Sequence, residues 1–397
     1  MGKSTSKVYF KGLNALRFFA ALLVVLMHMK SNLTTSGLPT FSEVGIFSKG
    51  LIAVSFFFVL SGFLITYLLY IEHEKNKRIS VKAFYLRRVF RIWPLYFLIV
   101  AIGLFFYWLV APKMGLDMEI EYNKPLAVFL YTFFGANILN SLYHVGGILH
   151  VTWSISVEEQ FYLIWAPVFQ KFKKHIKQIL YGTLIVSAVI ATLNKINFFG
   201  LSSGWQIFLD TLQFHYMCIG GILAYELYHN KEKFMNHIVF RSKRIQIVLL
   251  TLLLSYLFFY LKTDWAEPLL ILPQGLLFGW LIVNVSSNEK SILNLEMKPF
   301  NYLGKISYGI YMYHMLAVYF LSFAASKLFS PESFGALHMT IYAISVIALT
   351  VVISAISYEL FEKKLMKKGG KVSKNIINKE LEKKTNSSFI ETKVALN

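Results

Sequence analysis

The residues of this chain with the most evident chemistry lie inside an apolar segment. Arg17 and His28 fall within LRFFAALLVVLMHMK, the stretch from Leu16 to Lys30. At about 3.6 residues per turn they share one helix face, about 16 Å apart along the axis. An arginine within a membrane span is costly unless it faces a polar interior, so the shared face indicates a polar channel along the helix. An imidazole accepts a proton at neutral pH because its unperturbed pKa is about 6.5. The alternative is that both side chains extend to the lipid headgroups at the helix ends.

A second pair of cations precedes Pro94. Arg88 and Arg91 are three residues apart in FYLRRVFRIWPLYF (84–97), so both point the same way on a helix. Two guanidiniums can clamp a phosphate group. The alternative is ordinary positive charge at the cytoplasmic end of a membrane helix.

Two carboxylates follow in HVTWSISVEEQFYLIW (150–165). Glu158 and Glu159 are expected about one turn inside a membrane helix, at a depth comparable with His28. A carboxylate there could orient and stabilise an imidazole that acts as a base. The alternative is a capping box, in which Ser156 and Glu159 bond the free amide groups at the start of the helix. That alternative explains Glu159 but not Glu158.

Ser61 and His314 are weaker candidates for contact with a substrate. Ser61-Gly62 is expected in mid-membrane, where small residues allow helices to pack closely. The alternative is that the backbone opens at Gly62 and admits a ligand. His314 ends a stripe at a spacing of three, behind Tyr308 and Tyr311. An imidazole near the midplane is expected to face the interior of the protein, in a structural or a functional role.

The elements that must position these residues are membrane helices. The chain has 397 residues, 56% of them hydrophobic and 15% charged, whereas soluble domains are about 25% charged. A hydrocarbon core takes about 20 helical residues to cross. The predicted fold is an all-α integral membrane protein with about ten transmembrane helices, near 13–30, 50–71, 92–110, 154–170, 178–194, 208–228, 245–261, 268–286, 306–328 and 338–360. The apolar piece 126–139 is too short to span, and it is expected to lie at the interface or dip in.

The distribution of charge predicts the orientation. The net charge is +19, and the segments on one side of the ten spans hold 32 of the 40 Lys and Arg, against 5 on the other side. This bias places both termini in the cytoplasm of a protein of the inner or plasma membrane. The basic charge is therefore interpreted as orientation and attraction to anionic membrane lipid, not as nucleic-acid binding.

The predicted organisation is a transmembrane domain over 1–362 followed by a basic cytoplasmic tail over 363–397. The tail is polar and poor in aromatic residues, so it is expected to be disordered or loosely helical. Cys218 is the single cysteine, which rules out an intrachain disulfide, and no metal site is predicted.

Together these motifs resemble acyltransferase family 3 of integral membrane O-acyltransferases. The resemblance runs from about residue 9 to 363. It rests on Arg17 followed by His28, then FFFVLSGFLI, the Arg88 and Arg91 pair with IWPLY, WSISVEEQFY, ISYGIYMYH and YELFEK, in the order of the family. Family members commonly carry an acidic residue ahead of the first arginine, where this chain has Asn14. The chain looks like the stand-alone type, without an extracytoplasmic hydrolase-like domain.

The resemblance implies an acyl donor, acetyl-CoA, bound on the cytoplasmic side with its phosphates at Arg88 and Arg91. It implies His28 as general base or transient acyl carrier, Arg17 along the donor path, and Glu158 as support for the histidine or the acceptor. The acceptor would be a hydroxyl of a surface, exported or lipid-linked glycan. The sugar, the acyl chain and the oligomeric state stay open.

A proton-coupled transporter or lipid flippase is the alternative function, because ionisable residues within membrane helices also relay protons in pumps. Paired arginines before Pro94 favour the enzyme, whereas two recognisable repeated halves would favour transport. A structural membrane subunit is a third hypothesis.

Overall fold

The computed structural model describes residues 8–41, 44–113, 122–143, 145–259 and 267–395, with side chains of residues 269–382 in the last range. These residues form helices and no β-strand, which confirms the all-α prediction. The first half contains α1 (Leu13–Thr35), α2 (Gly50–Asn76), α3 (Val81–Phe105), α4 (Ala111–Lys113), α5 (Lys124–Thr132), α6 (Ala136–Tyr143), α7 (Thr152–Phe172) and α8 (Ile176–Lys195).

The second half of the described chain is helical in the same way. It contains α9 (Ser203–Thr211), α10 (Phe214–His229), α11 (Lys231–Met235), α12 (Ile238–Arg241), α13 (Lys243–Phe258), α14 (Glu267–Ser287), α15 (Lys298–Lys305), α16 (Ser307–Leu328), α17 (Ala336–Ser357) and α18 (Lys363–Ala395). Short π-helical turns at Phe106–Val110 and Tyr358–Glu362 continue α3 and α17.

The described residues contain eight helical stretches long and apolar enough to cross a membrane. One of them, Gly147–Lys195, covers two predicted spans, 154–170 and 178–194, because α7 and α8 are joined by a short 3-10 turn. The predicted span 245–261 corresponds to α13, which has only 16 residues. Residues 260–266, which follow it, are not among the described residues. The protein is a multi-pass helical membrane protein, while the count of ten spans and the cytoplasmic termini stay predictions.

The apolar piece 126–139 forms parts of two short helices, α5 and α6, as its length predicts. The break falls at Phe134, which adopts a left-handed backbone conformation with φ of 54°. Next to it, the amide of Gly135 donates to the carbonyl of Leu130 at 2.6 Å. This turn sends α6 against α7 and α9.

Close packing of α2 against α10 explains the small residues in mid-membrane. A Cβ on Gly62 would lie 1.9 Å from the carbonyl oxygen of Met217, and one on Gly220 would lie 1.9 Å from that of Val59. Only glycine allows the two backbones to approach this closely. The packing interpretation is therefore confirmed, and the opened backbone is wrong because α2 runs unbroken through residue 62.

In the structure the tail forms a helix, α18, that runs along α3. Gly369 lies against the ring of Phe90, and Arg87 donates to Ser373 at 2.8 Å. Further along, Arg78 pairs with Glu380 at 3.2 Å. The fully buried residues of α18, Gly369 and Ser373, are small and contribute little to hydropathy.

Candidate active site

A cavity of about 190 Å³ with several charged side chains in its wall lies among α1, α2, α3, α7 and α16. Arg17 of α1 and both Arg88 and Arg91 of α3 line it, and Glu158 of α7 is the one carboxylate among its described lining residues. We call it the arginine cavity. Three guanidiniums against one carboxylate leave a surplus of positive charge inside the bundle, which suits an anion such as phosphate.

Two hydrogen bonds orient Glu158. The hydroxyl of Ser61 donates to Oε1 at 3.0 Å, and that of Tyr162, one turn along α7, donates to Oε2 at 2.7 Å. Both carboxylate oxygens are therefore occupied by partners within the cavity wall. The geometry holds the negative charge beside the guanidiniums.

The arginines of α3 divide between two environments. The guanidinium of Arg88 lies over the ring of Tyr162, 5.1 Å from its centroid, and it lines the cavity together with Arg91. Arg87 instead pairs with Glu72 at 2.5 Å and bonds Ser373 of α18. Ordinary charge at a helix end accounts for Arg87, but not for two arginines directed into a cavity.

Glu159 is separated from the cavity. Its Oε2 accepts a hydrogen bond from the indole of Trp93 at 3.0 Å, and its buried Oε1 has no partner among the described residues. The capping box is wrong, because α7 begins at Thr152 and no side chain caps it. Ser156 instead accepts from the amide of Ala136 at 3.2 Å. Glu158 is thus nearly two turns inside the helix, not one.

His28 belongs to a second group, the histidine cluster of His28, His150 and His314. The ring centroid of His28 lies 5.2 Å from that of His314 and 5.8 Å from that of His150. His28 is 8% exposed and His314 is fully buried. Both ends of the shared face on α1 therefore meet the protein interior, and the side chain of His28 does not extend away from the bundle. The described residues include no group of three or more His, Cys, Asp or Glu arranged to hold a metal ion.

Backbone carbonyls fix the tautomers of two of these histidines. Nδ1 of His314 lies 2.7 Å from the carbonyl oxygen of Tyr311, and Nδ1 of His150 lies 3.2 Å from that of Val145. A carbonyl can only accept, so each Nδ1 carries the hydrogen and each Nε2 presents a lone pair. Nε2 of His314 is buried and has no hydrogen-bond partner among the described residues.

Tyr311 connects the arginine cavity with the histidine cluster. Its side chain lines the cavity, and its hydroxyl lies 2.6 Å from that of Ser154. Its ring centroid is 6.0 Å from that of His314. The two groups of polar residues are thus linked through one side chain, which lines the cavity and lies beside His314.

The structure separates Glu158 from His28. The hydrogen bonds of Glu158 go to Ser61 and Tyr162, whereas the ring contacts of His28 are His150 and His314. None of these described contacts joins Glu158 to His28, and the role of Glu158 as support for the histidine or the acceptor stays a prediction. Sequence reasoning assigned no role to His150, because its proximity to His28 depends on contacts between residues far apart in the chain. The roles of the remaining candidates stay predictions.

Comparison with known proteins identifies relatives over nearly the whole chain. Residues 10–359 match a family described as an acyltransferase domain. O-acetyltransferase OatA of Staphylococcus aureus is 25% identical over 392 residues, which cover 93% of this chain and 59% of that protein. Peptidoglycan O-acetyltransferase OatA of Listeria monocytogenes is 26% identical over 385 residues, which cover 92% of this chain and 57% of that protein.

The chain spans less than three fifths of the length of these two relatives. No solved structure matches it. The family match nevertheless includes every helix that contributes to the arginine cavity and the histidine cluster. The chain belongs to acyltransferase family 3.

Proposed function

We propose that the protein is a membrane O-acyltransferase that moves an acetyl group from acetyl-CoA, bound from the cytoplasmic side, to a hydroxyl of a surface, exported or lipid-linked glycan. The observation that carries this proposal is the arginine cavity joined through Tyr311 to the histidine cluster. One group offers positive charge for a donor, and the other offers a base. The relatives support the acceptor class, since one of them is named a peptidoglycan O-acetyltransferase.

Electrostatics supports a donor that carries phosphate. Arg17, Arg88 and Arg91 face a single carboxylate across the arginine cavity. Uncompensated charge inside a membrane bundle is unfavourable, so this arrangement is stabilised when an anion enters. The phosphates of coenzyme A supply that anion, and guanidiniums bind phosphate through paired hydrogen bonds.

His28 acts as the general base in this proposal. The acceptor hydroxyl attacks the thioester carbonyl, and a new carbon–oxygen bond forms as the hydroxyl proton passes to the imidazole. The carbon–sulfur bond then breaks, and the departing thiolate takes the proton from the imidazolium. The products are an acetyl ester and the free thiol of coenzyme A. If His28 instead carries the acyl group, two such transfers occur in series.

The test is a transfer assay with the purified protein in proteoliposomes. Acetyl-CoA labelled in the acetyl group is supplied with a polyprenyl-linked glycan, and the glycan is analysed by mass spectrometry. The proposal predicts label on the glycan in a base-labile ester with the mass of one acetyl group. Absence of label from every acceptor, together with dissipation of a solute gradient by the same vesicles, would favour a transporter and overturn the proposal.

A further inference from the structure

We propose that His314 positions His28: Nε2 of His314 accepts the ring N–H of His28 and so determines which nitrogen of His28 receives the proton of the acceptor. This inference rests on the acyl transfer proposed above. It assigns His314 a positioning role and not direct contact with the reacting atoms.

A histidine that acts as a base needs a partner that holds its ring and stabilises the imidazolium that forms. The described hydrogen bonds of Glu158 go to Ser61 and Tyr162 within the arginine cavity, and none goes to His28. Among the described residues, the ring contacts of His28 are two other imidazoles. The partner must therefore be sought in the histidine cluster.

His314 has the lone pair that this role requires. Its Nδ1 is committed to the carbonyl of Tyr311 at 2.7 Å, which leaves Nε2 as an acceptor. That nitrogen is buried without a partner among the described residues, and an unpaired buried polar atom costs free energy. A hydrogen bond from His28 would remove this cost.

The distance between the rings is compatible with such a bond. Hydrogen-bonded heavy atoms lie about 3 Å apart, and a ring nitrogen stands about 1 Å from its centroid, so two imidazoles joined nitrogen to nitrogen have centroids about 5 Å apart. The observed separation of His28 and His314 is 5.2 Å. In the proposed arrangement the ring of His28 is turned so that its N–H meets Nε2 of His314.

His150 is the less suitable partner. Its ring lies farther from His28, at 5.8 Å, and its own anchor to Val145 is longer, at 3.2 Å. It stands in the short loop before α7 and is partly exposed, whereas His314 is fully buried in α16. We therefore expect replacement of His150 to have the smaller effect on the tautomer of His28.

Two amide substitutions test the roles of the two ring nitrogens of His314 separately. The amide nitrogen of asparagine can donate to Tyr311 as Nδ1 does, but His314→Asn places nothing at the position of Nε2. His314→Gln places an amide oxygen near that position and restores an acceptor. We expect kcat to fall at least tenfold in His314→Asn and to recover in large part in His314→Gln, with the donor KM unchanged in both. His215→Asn, at a buried histidine of α10 outside the cluster, should retain the wild-type kcat.

Nitrogen NMR of histidine-labelled protein gives a readout independent of turnover. The chain has 10 histidines, and loss of one signal in His28→Gln assigns that of His28. We expect a single tautomer of His28 in the wild type and in His314→Gln, and a mixture in His314→Asn. If His314→Asn does not fold, a mixture of tautomers in folded His314→Gln would overturn the inference.

The outcomes distinguish the inference from the function on which it rests. If His28→Ala is inactive while His314→Asn keeps the wild-type kcat and a single tautomer of His28, the positioning role is wrong and the proposed function stands. If His28→Ala turns over normally, the proposed mechanism itself is wrong. Equal loss of kcat and of thermal stability in His314→Asn and His314→Gln would indicate a packing role and would also overturn the inference.

Discussion

Ser61 of α2 donates a hydrogen bond of 3.0 Å to Glu158 of α7 and holds that carboxylate beside the three arginines of the cavity. Glu158 is therefore the counter-charge of the arginine cavity, and its described hydrogen bonds go to Ser61 and Tyr162 and not to His28. The polar interior thus has a cationic part, lined by the arginines, and a part made of imidazoles.

Glu158→Gln should lower the thermal stability of the protein, because it leaves three guanidiniums without their carboxylate. Removing one partner of a buried charge group costs about 3–5 kcal/mol. Coenzyme A should restore part of this loss, since its phosphates supply negative charge to the same cavity. The measurement is the thermal midpoint of the purified variant with and without coenzyme A.

Glu289→Gln is the matched control, because Glu289 is exposed. Its midpoint should equal that of the wild type, and coenzyme A should shift both equally. If coenzyme A raises the thermal midpoint of Glu158→Gln by the same amount as that of the wild type, the donor does not interact with the charge of this cavity.

Replacing Arg88 and Arg91 together by alanine should raise the KM for acetyl-CoA far more than the KM for the glycan. Hydrogen bonds to charged groups contribute about 1.5–3 kcal/mol each, so the donor KM should rise at least tenfold. Steady-state kinetics with each substrate varied in turn gives both constants.

Lys82→Ala removes a positive charge from the exposed side of the same helix, α3. Its donor KM should match that of the wild type. If the double arginine variant also keeps the wild-type donor KM, ordinary charge at the end of a membrane helix is the better account of this pair.

The close contact of α2 and α10 gives a prediction about stability. A methyl group on Gly62 would lie 1.9 Å from the carbonyl oxygen of Met217, so Gly62→Ala forces the helices apart. Overpacking of this kind costs about 1–3 kcal/mol. Thermal or detergent-induced unfolding of the purified protein measures the loss.

Gly182→Ala is the control on α8, since a Cβ there meets nothing within 4 Å. It should leave stability unchanged or raise it slightly, by at most about 1 kcal/mol, because alanine favours the helix. Equal destabilisation by both substitutions would contradict the packing account.

The helices could be predicted from the sequence because hydropathy acts locally, and the face shared by Arg17 and His28 followed from helical geometry alone. The depth of Glu158 within α7 could not be predicted, because the start of α7 depends on tertiary contacts such as that of Ser156 with Ala136. The histidine cluster escaped prediction for a similar reason. His150 meets His28 through tertiary packing, and no local pattern records that contact.

The tail shows the same limit of local reasoning. Its composition is that of a solvated segment, yet Gly369 and Ser373 fit α18 closely against α3. Small residues contribute little to hydropathy, but they allow helices to pack closely together.

The central claim is that His28 carries the proton transfer at the end of a path that begins in the arginine cavity. The most direct measurement is acetyl transfer by purified His28→Ala, in proteoliposomes with labelled acetyl-CoA and a polyprenyl-linked glycan, beside the wild type and His215→Ala. We predict that His28→Ala inserts and binds the donor normally, while its kcat falls by about 10²–10⁴ or more, the usual contribution of a general base. Wild-type turnover in His28→Ala would contradict the account.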